Sequence, residues 1–184
     1  MTATLQRLIT AEEFAEFPEP EPEQHDELVR GIIAYYPLPT VRHGHTSADV
    51  GYLLGKYVDQ NDIGVVTMRV GVVTGRNPDT VRAADLAFWM KQRWPRCIER
   101  DDWTVVPDIA IDIRDRWDTP ELTALRARDF LEAGVRLVWV VEPDSRSVMV
   151  YRPGERGIEY SETDTLDGGD VLPGFTCPVA SLFE

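Results

Sequence analysis

Two aspartates stand inside segments that are otherwise hydrophobic. Asp85 lies in Arg82-Ala83-Ala84-Asp85-Leu86-Ala87-Phe88-Trp89, and Asp112 lies in Pro107-Asp108-Ile109-Ala110-Ile111-Asp112-Ile113-Arg114. The residues after Asp85 read as a strand, which puts that aspartate near the strand's start and partly enclosed. In the second segment Ile109, Ile111 and Ile113 share one face of a strand, while Asp108, Ala110 and Asp112 share the other. A carboxylate in such a setting is costly to bury unless a cation or a metal meets it. Two of them on neighbouring strands suit a hard divalent ion. Mg²⁺, with Mn²⁺ as a substitute, takes carboxylate oxygens and keeps waters for a substrate. The plainer reading of each acid is a salt-bridged strand end or a turn cap, because structural ion pairs also put acids there. Asp108 follows a proline and is expected to open its strand.

Arg126 is the second anomaly. Leu122, Leu125, Phe130 and Ala133 form a helical stripe, and Arg126 falls within it. A guanidinium facing a core calls for an acidic partner or a phosphate; the alternatives are snorkelling at the stripe's edge or pairing with Asp129. His43 and His45 form a His-x-His pair, with His25 the remaining histidine. Zinc would need both on one face, but the segment reads as the start of a helix, where residues two apart diverge. His43 is therefore expected to contact a phosphate or cap the helix entry. Trp89, Trp94 and Trp103 read as core or contact residues before base-stacking ones. Gly168-Gly169 has no phosphate-loop context and reads as a turn.

The elements that must position these residues are legible in outline. Thr10 and Glu13 have capping-box spacing ahead of Phe14. The segment 18–22 (PEPEP) reads as an acidic loop. Residues 27–36 suggest a hairpin or bulged strand around Gly31, and 45–59 show helical periodicity. Strands are expected over 64–74, 83–90, 105–113 and 137–142. A helix over 119–133 has Thr119 as N-cap, Pro120 at its first position and Gly134 as stop. Segments 148–152 and 157–165 read as a late antiparallel pair, followed by a turn over 167–170. The order of elements makes one mixed-sheet α/β domain over residues 1–184 the economical solution.

Composition sets limits on function. A chain of 184 residues with 43% apolar content can enclose a core without staples. Cys97 and Cys177 have neither metal-site nor disulfide-framework spacing, and a reduced, cytoplasmic protein is the expectation. Residues 1–10 lack the apolar stretch of a secretory leader, and no apolar run is long enough to span a membrane. The net charge of −13 repels a polyanion, although eight of the 32 acids cluster over residues 12–27, leaving room for an arginine patch elsewhere. Only Lys56 and Lys91 among 19 basic residues are lysines, so candidates for a catalytic lysine are few.

Taken in order, Glu27-Leu28-Val29-Arg30-Gly31, then Arg42-His43, then Ala84-Asp85-Leu86-Ala87-Phe88, then the segment from Pro107 to Ile113, resemble successive blocks of one family. The blocks continue through Phe130-Leu131-Glu132-Ala133-Gly134-Val135, Leu137 to Pro143, and Leu172-Pro173-Gly174-Phe175. The family is Uma-two, restriction endonucleases within the PD-(D/E)XK nuclease superfamily. The resemblance implies a restriction-endonuclease-like fold: a central mixed β-sheet flanked by helices, with additional N- and C-terminal strands. It also implies frequent homodimers and a divalent-metal site for hydrolysing DNA. Carried over by position, Glu27 is the N-terminal glutamate, Asp85 the aspartate of the Pro-Asp motif and Asp112 the second acid, so these three are the implied metal ligands. Arg126 takes the place of the active-site lysine, and Arg114 follows Asp112 with the acid-x-lysine spacing of the superfamily. There are three departures from the pattern: Ala84 for the proline, Asp112 for the usual glutamate, and arginine for lysine. Arginine can stabilise charge on a phosphate but cannot deprotonate water. Two functions follow as expectations: a Mg²⁺-dependent endonuclease, or a catalytically silent nuclease fold serving as an acidic protein-interaction module.

Overall fold

The computed structural model describes residues 7–18, 24–94 and 103–184. Most of the PEPEP segment (residues 19–22) and Cys97 lie outside the described residues. Helix α1 (Ala11–Ala15) carries the capping box at Thr10 and Glu13. Strands β1 (Gln24–Val29) and β2 (Ile32–Pro37) form the hairpin expected around Gly31. Arg30 and Gly31 both have positive φ, 51° and 77°, as a two-residue hairpin turn of matching twist requires. Helix α2 (Val41–Asn61) begins before its apolar periodicity does, because the Thr40 hydroxyl accepts the His43 backbone N–H and caps it there.

Strands β3 (Gly64–Gly75) and β4 (Thr80–Met90) form a long antiparallel pair. Strand β5 (Ile109–Ile113) is shorter than the expected 105–113. Pro107 has no N–H to donate, and the Asp108 side chain turns back to accept the Met90 N–H and bind Arg93. Helix α3 (Pro120–Glu132) starts at the expected Thr119 cap and crosses over to β6 (Leu137–Glu142), which runs parallel to β5. Strands β7 (Ser147–Tyr151) and β8 (Ile158–Tyr160) extend the sheet antiparallel. The second expected late strand breaks at Tyr160: β9 (Thr165–Asp167) pairs instead with β10 (Thr176–Pro178), ahead of a 3-10 helix at Val179–Phe183. No helix among the described residues is long and apolar enough to cross a membrane.

The eight-stranded sheet has the order β2-β1-β4-β5-β6-β7-β8, with β3 also bound to β4. Helix α2 and the C-terminal segment pack on one face through Val50, Leu54, Val58, Phe88 and Ile111, and α3 packs on the other through Ala127 and Phe130. Strand β4 is the branch point. Every residue of it but Asp85 is paired to β3 on one edge, so β1 and β5 must share the other. Leu28 of β1 pairs with Val81, and Ile109 to Ile111 of β5 pair with Phe88 to Leu86. Between them the sheet forks. Extending the two registers sets Glu27 opposite Arg82 and Asp112 opposite Asp85.

Side chains close this fork. The Ala83 N–H, without a strand partner on that edge, donates to Glu27 Oε1 at 3.0 Å. The Arg82 guanidinium donates to Glu27 Oε2 at 2.8 Å and to Asp129 Oδ2 of α3 at 2.7 and 2.8 Å. Arg82 is 1% exposed and Glu27 2%. The alternation of β4 also slips here: Arg82, Ala84, Ala87 and Trp89 lie toward α3, whereas Leu86 and Phe88 pack with α2. Asp85 stands at the slip, and the β3–β4 register omits the pair Arg69–Asp85.

Removing one partner from a buried ionic group leaves an uncompensated charge, at a cost of about 3–5 kcal/mol. Arg82→Met is therefore expected to lower unfolding stability by about that amount in urea titrations. An unchanged midpoint would show that the fork does not depend on its arginine.

Candidate active site in the fork of the sheet

The fork opens into a cleft of about 420 Å³ whose lining includes Glu27, His43, Asp85, Asp112 and Arg126. Asp85 Oδ2 accepts the Ile113 N–H at 2.7 Å and lies 3.2 Å from His43 Nε2. Asp112 sits on the same wall, on the α3 face of β5 as its alternation with the isoleucines requires. Its Oδ2 is buried and has no hydrogen-bond partner among the described residues. Burial pushes the Asp112 carboxyl up; Arg126 opposes the shift, but Asp85, Asp118 and Glu27 add to it, and the result is about 8.

Among the described residues, Arg126 is the cation nearest that oxygen, with Nη1 3.8 Å from Asp112 Oδ2. Its firm partner is Asp118, at 2.9 Å, and its guanidinium lies 5.0 Å from the centre of the Tyr36 ring. Burial works against its charge, but Asp112, Glu27 and Asp118 outweigh that and hold it protonated. The core-facing arginine thus has an acidic partner, supplied by the loop before α3. Asp129, the expected alternative, is engaged by Arg82.

Glu27 lines the cleft with both oxygens already committed to Arg82 and Ala83. Arg114 lies outside the lining. Strand β5 stops at Ile113, which ends the alternation that would have aimed Arg114 beside Asp112. Its guanidinium binds Glu142 Oε2 at 2.8 Å and the Asp118 carbonyl at 3.3 Å, in a second groove shared with Arg42, His43 and Asp115. The structure therefore brings Glu27, Asp85, Asp112 and Arg126 into one cleft and leaves Arg114 at its flank.

His43, expected at the helix entry, lines the cleft. His43 is a nearly buried neighbour of Asp85; desolvation opposes its charge, but the Asp85 hydrogen bond and the Asp85, Asp115 and Asp112 charges raise its pKa. His25 stacks on Tyr36, and burial lowers its pKa. His45 turns away to Asp49, so the His-x-His pair diverges as a helix demands. Trp89 and Trp94 pack on each other, and Trp103 packs on Phe14, which is the core reading of those residues. Trp117, 52% exposed at the cleft, was missed. Among the described residues no three His, Cys, Asp or Glu side chains converge as a metal cage. Any ion here would rest on Asp85 and Asp112 together with water or backbone oxygens, which is compatible with the low protein-ligand count that Mg²⁺ accepts.

A family model described as "Uma2: Putative restriction endonuclease" matches residues 11–180. A search of curated proteins returns no match. Among solved structures, one described as a "putative nuclease belonging to DUF820" from Anabaena variabilis ATCC 29413 superposes with a TM-score of 0.82. It is 22% identical, and the match covers 95% of this chain and 97% of that one. At that identity the likeness is one of fold.

The raised Asp112 pKa makes a signed prediction. The folded carboxyl binds its proton up to about pH 8, against an ordinary value of 3.8, so metal-free stability should fall as pH rises through that window and level off above it. The loss is at most ~1.4 kcal/mol per pH unit. Asp112→Asn removes this dependence, and its stability advantage should grow from pH 5 to pH 8 in urea titrations with EDTA. An advantage that stays constant with pH would mean that Asp112 is ionised throughout.

Proposed function

The chain belongs to the Uma2 family, and from that premise we propose that it is a metal-dependent endonuclease that hydrolyses DNA phosphodiester bonds in the cleft at the fork. One observation carries the reading: Asp112 presents a buried carboxylate oxygen with no hydrogen-bond partner among the described residues, beside Asp85, in a restriction-endonuclease-like fold. That orphaned oxygen is what a cation ligand looks like before its ion is present, so the residues fit the divalent metals typical of such nucleases. Asp85 and Asp112 would hold Mg²⁺ or Mn²⁺. When bound, the ion polarises the phosphate and acidifies water.

The remaining roles belong to side chains. Arg126, braced by Asp118 and Tyr36, offers permanent positive charge to the phosphate oxygens. It cannot accept a proton from water, so this chain has no lysine-like base at that position. Glu27 acts from behind the site: by holding Arg82 and the Ala83 N–H it fixes the backbone that carries Asp85. His43 holds Asp85 Oδ2 from the α2 side. Arg114, in the flanking groove, is suited to a phosphate further along the strand.

A second reading has its own support. Arginine in the lysine position, already paired to Asp118, together with a net charge of −13, fits a catalytically silent fold that binds protein partners. Plasmid cleavage with Mg²⁺ and with Mn²⁺ separates the two. Wild type is expected to convert supercoiled DNA, and Asp85→Ala or Asp112→Ala to lose at least ~100-fold in rate, the scale of removing a charge-stabilising group. Independently of activity, Mg²⁺ should raise the thermal midpoint of wild type and not of Asp112→Asn. A folded wild type that neither cuts nor is stabilised by either ion would leave the silent reading standing alone.

A further inference from the structure

Arg69 and Arg126 are the arginines among the described residues that line the cleft. Arg126 is buried and shared among Asp118, Asp112, Glu27 and the Tyr36 ring. Arg69 is exposed, and among the described residues no acid, hydrogen-bond acceptor or ring engages it. In a cleft that also holds Asp26, Asp85, Asp112, Asp115 and Asp118, an exposed arginine that no described acid engages is unusual.

Its backbone is unusual too, and independently so. Among the described residues five non-glycine positions have positive φ. Arg30, Asn77 and Arg146 lie in turns, and Asp62 ends α2. Arg69 alone lies inside a strand, with φ of 51° in the middle of β3. An L residue adopts this conformation at a cost, and neither a turn nor a cap here requires it. The register places Arg69 across from Asp85, and the β3–β4 ladder omits that one pair while keeping its offset on either side. The twist thus interrupts a regular ladder at the position beside the acid pair, and the residue it carries is an arginine lining the cleft that no described residue pairs with.

We propose that Arg69 is the substrate anchor of this cleft, its guanidinium taking two non-bridging oxygens of a nucleic-acid phosphodiester. The inference rests on the nuclease reading above and adds to it the residue that grips the strand. The planar fork of arginine matches a phosphate in a bidentate manner, which a lysine in the same place would not do. Arg69 also offers a route past the acidic surface, since binding through an arginine that no described acid neutralises does not require a basic face.

The test is binding, measured by fluorescence anisotropy of labelled duplex and single-stranded oligonucleotides in EDTA, over a range of NaCl concentrations. Each phosphate contact contributes about 0.9 to the slope of log K against log salt on duplex, and about 0.7 on a single strand. Arg69→Gln is expected to lower the slope by about one such contact and to weaken binding at low salt by about tenfold or more. Arg69→Lys should keep the slope but bind less tightly than wild type. Arg128→Gln, on the exposed side of α3, should behave as wild type. Circular dichroism melts establish that each variant is folded, and if Arg69→Gln is not, the affinity of Arg69→Lys decides. Wild-type slope and affinity in Arg69→Gln, or wild-type affinity in Arg69→Lys, would overturn the anchor while leaving the nuclease reading intact. Absence of salt-dependent binding by wild type would remove the nuclease reading and the anchor with it.

Discussion

A single strand that serves two partners on one edge is the constraint from which the rest of this structure follows. Strand β4 is bound along its length to β3, and its free edge is divided between β1 near its start and β5 near its end. The residues between those contacts have backbone groups that no strand can satisfy, and buried backbone groups do not go unpaired cheaply. Glu27 answers part of that need by accepting the Ala83 N–H, and Asp85 does the same for β5 by accepting the Ile113 N–H. Carboxylates are thus drawn into the fork first for structural reasons. Once there, they stand close together in a place that opens to solvent.

The electrostatics of the cleft are deliberately unbalanced. Each acid around the fork has a definable counterweight except one. Glu27 has Arg82, Asp118 has Arg126, and Asp85 has a backbone N–H and His43. Among the described residues, Asp112 has only a guanidinium at 3.8 Å that is already spoken for. So placed, burial and the neighbouring acids make the Asp112 carboxyl hold its proton well above the ordinary carboxylate range. The loop between β5 and α3 maintains this state: Asp115 accepts the Thr40 N–H at the start of α2, and Asp118 draws Arg126 away from Asp112.

What the sequence made legible was local. The isoleucine alternation of β5, the Thr119-Pro120 start of α3 and the Arg30-Gly31 turn are each decided by residues within a few positions of one another, and each appears where expected. The grouping of Asp85 with Asp112 was also readable, since both interrupt apolar strands. What was not readable depended on long-range pairing. Arg82 interrupts an apolar strand in the same way as Asp112, and that signal could have marked it as a buried ion-pair member; its partners, however, lie 55 and 47 residues away. Arg126 was given Asp129 as a neighbour by helical spacing, but the loop folded Asp118 back onto it. Arg114 was assigned to a face by alternation, and the strand ended one residue too soon.

The bridge of Glu27, Arg82 and Asp129 also has consequences for inheritance. Its members come from β1, β4 and α3, and losing Arg82 strands the buried Glu27 carboxylate, a penalty of about 3–5 kcal/mol against a typical total stability of about 5–15. Losing either acid leaves Arg82 paired with the other, but losing Glu27 also orphans the Ala83 N–H. Drift by single substitutions should therefore hold Arg82 and Glu27 together and be freest at the partly exposed Asp129. The same barrier shelters the backbone beneath Asp85, whatever happens to the chemistry above it.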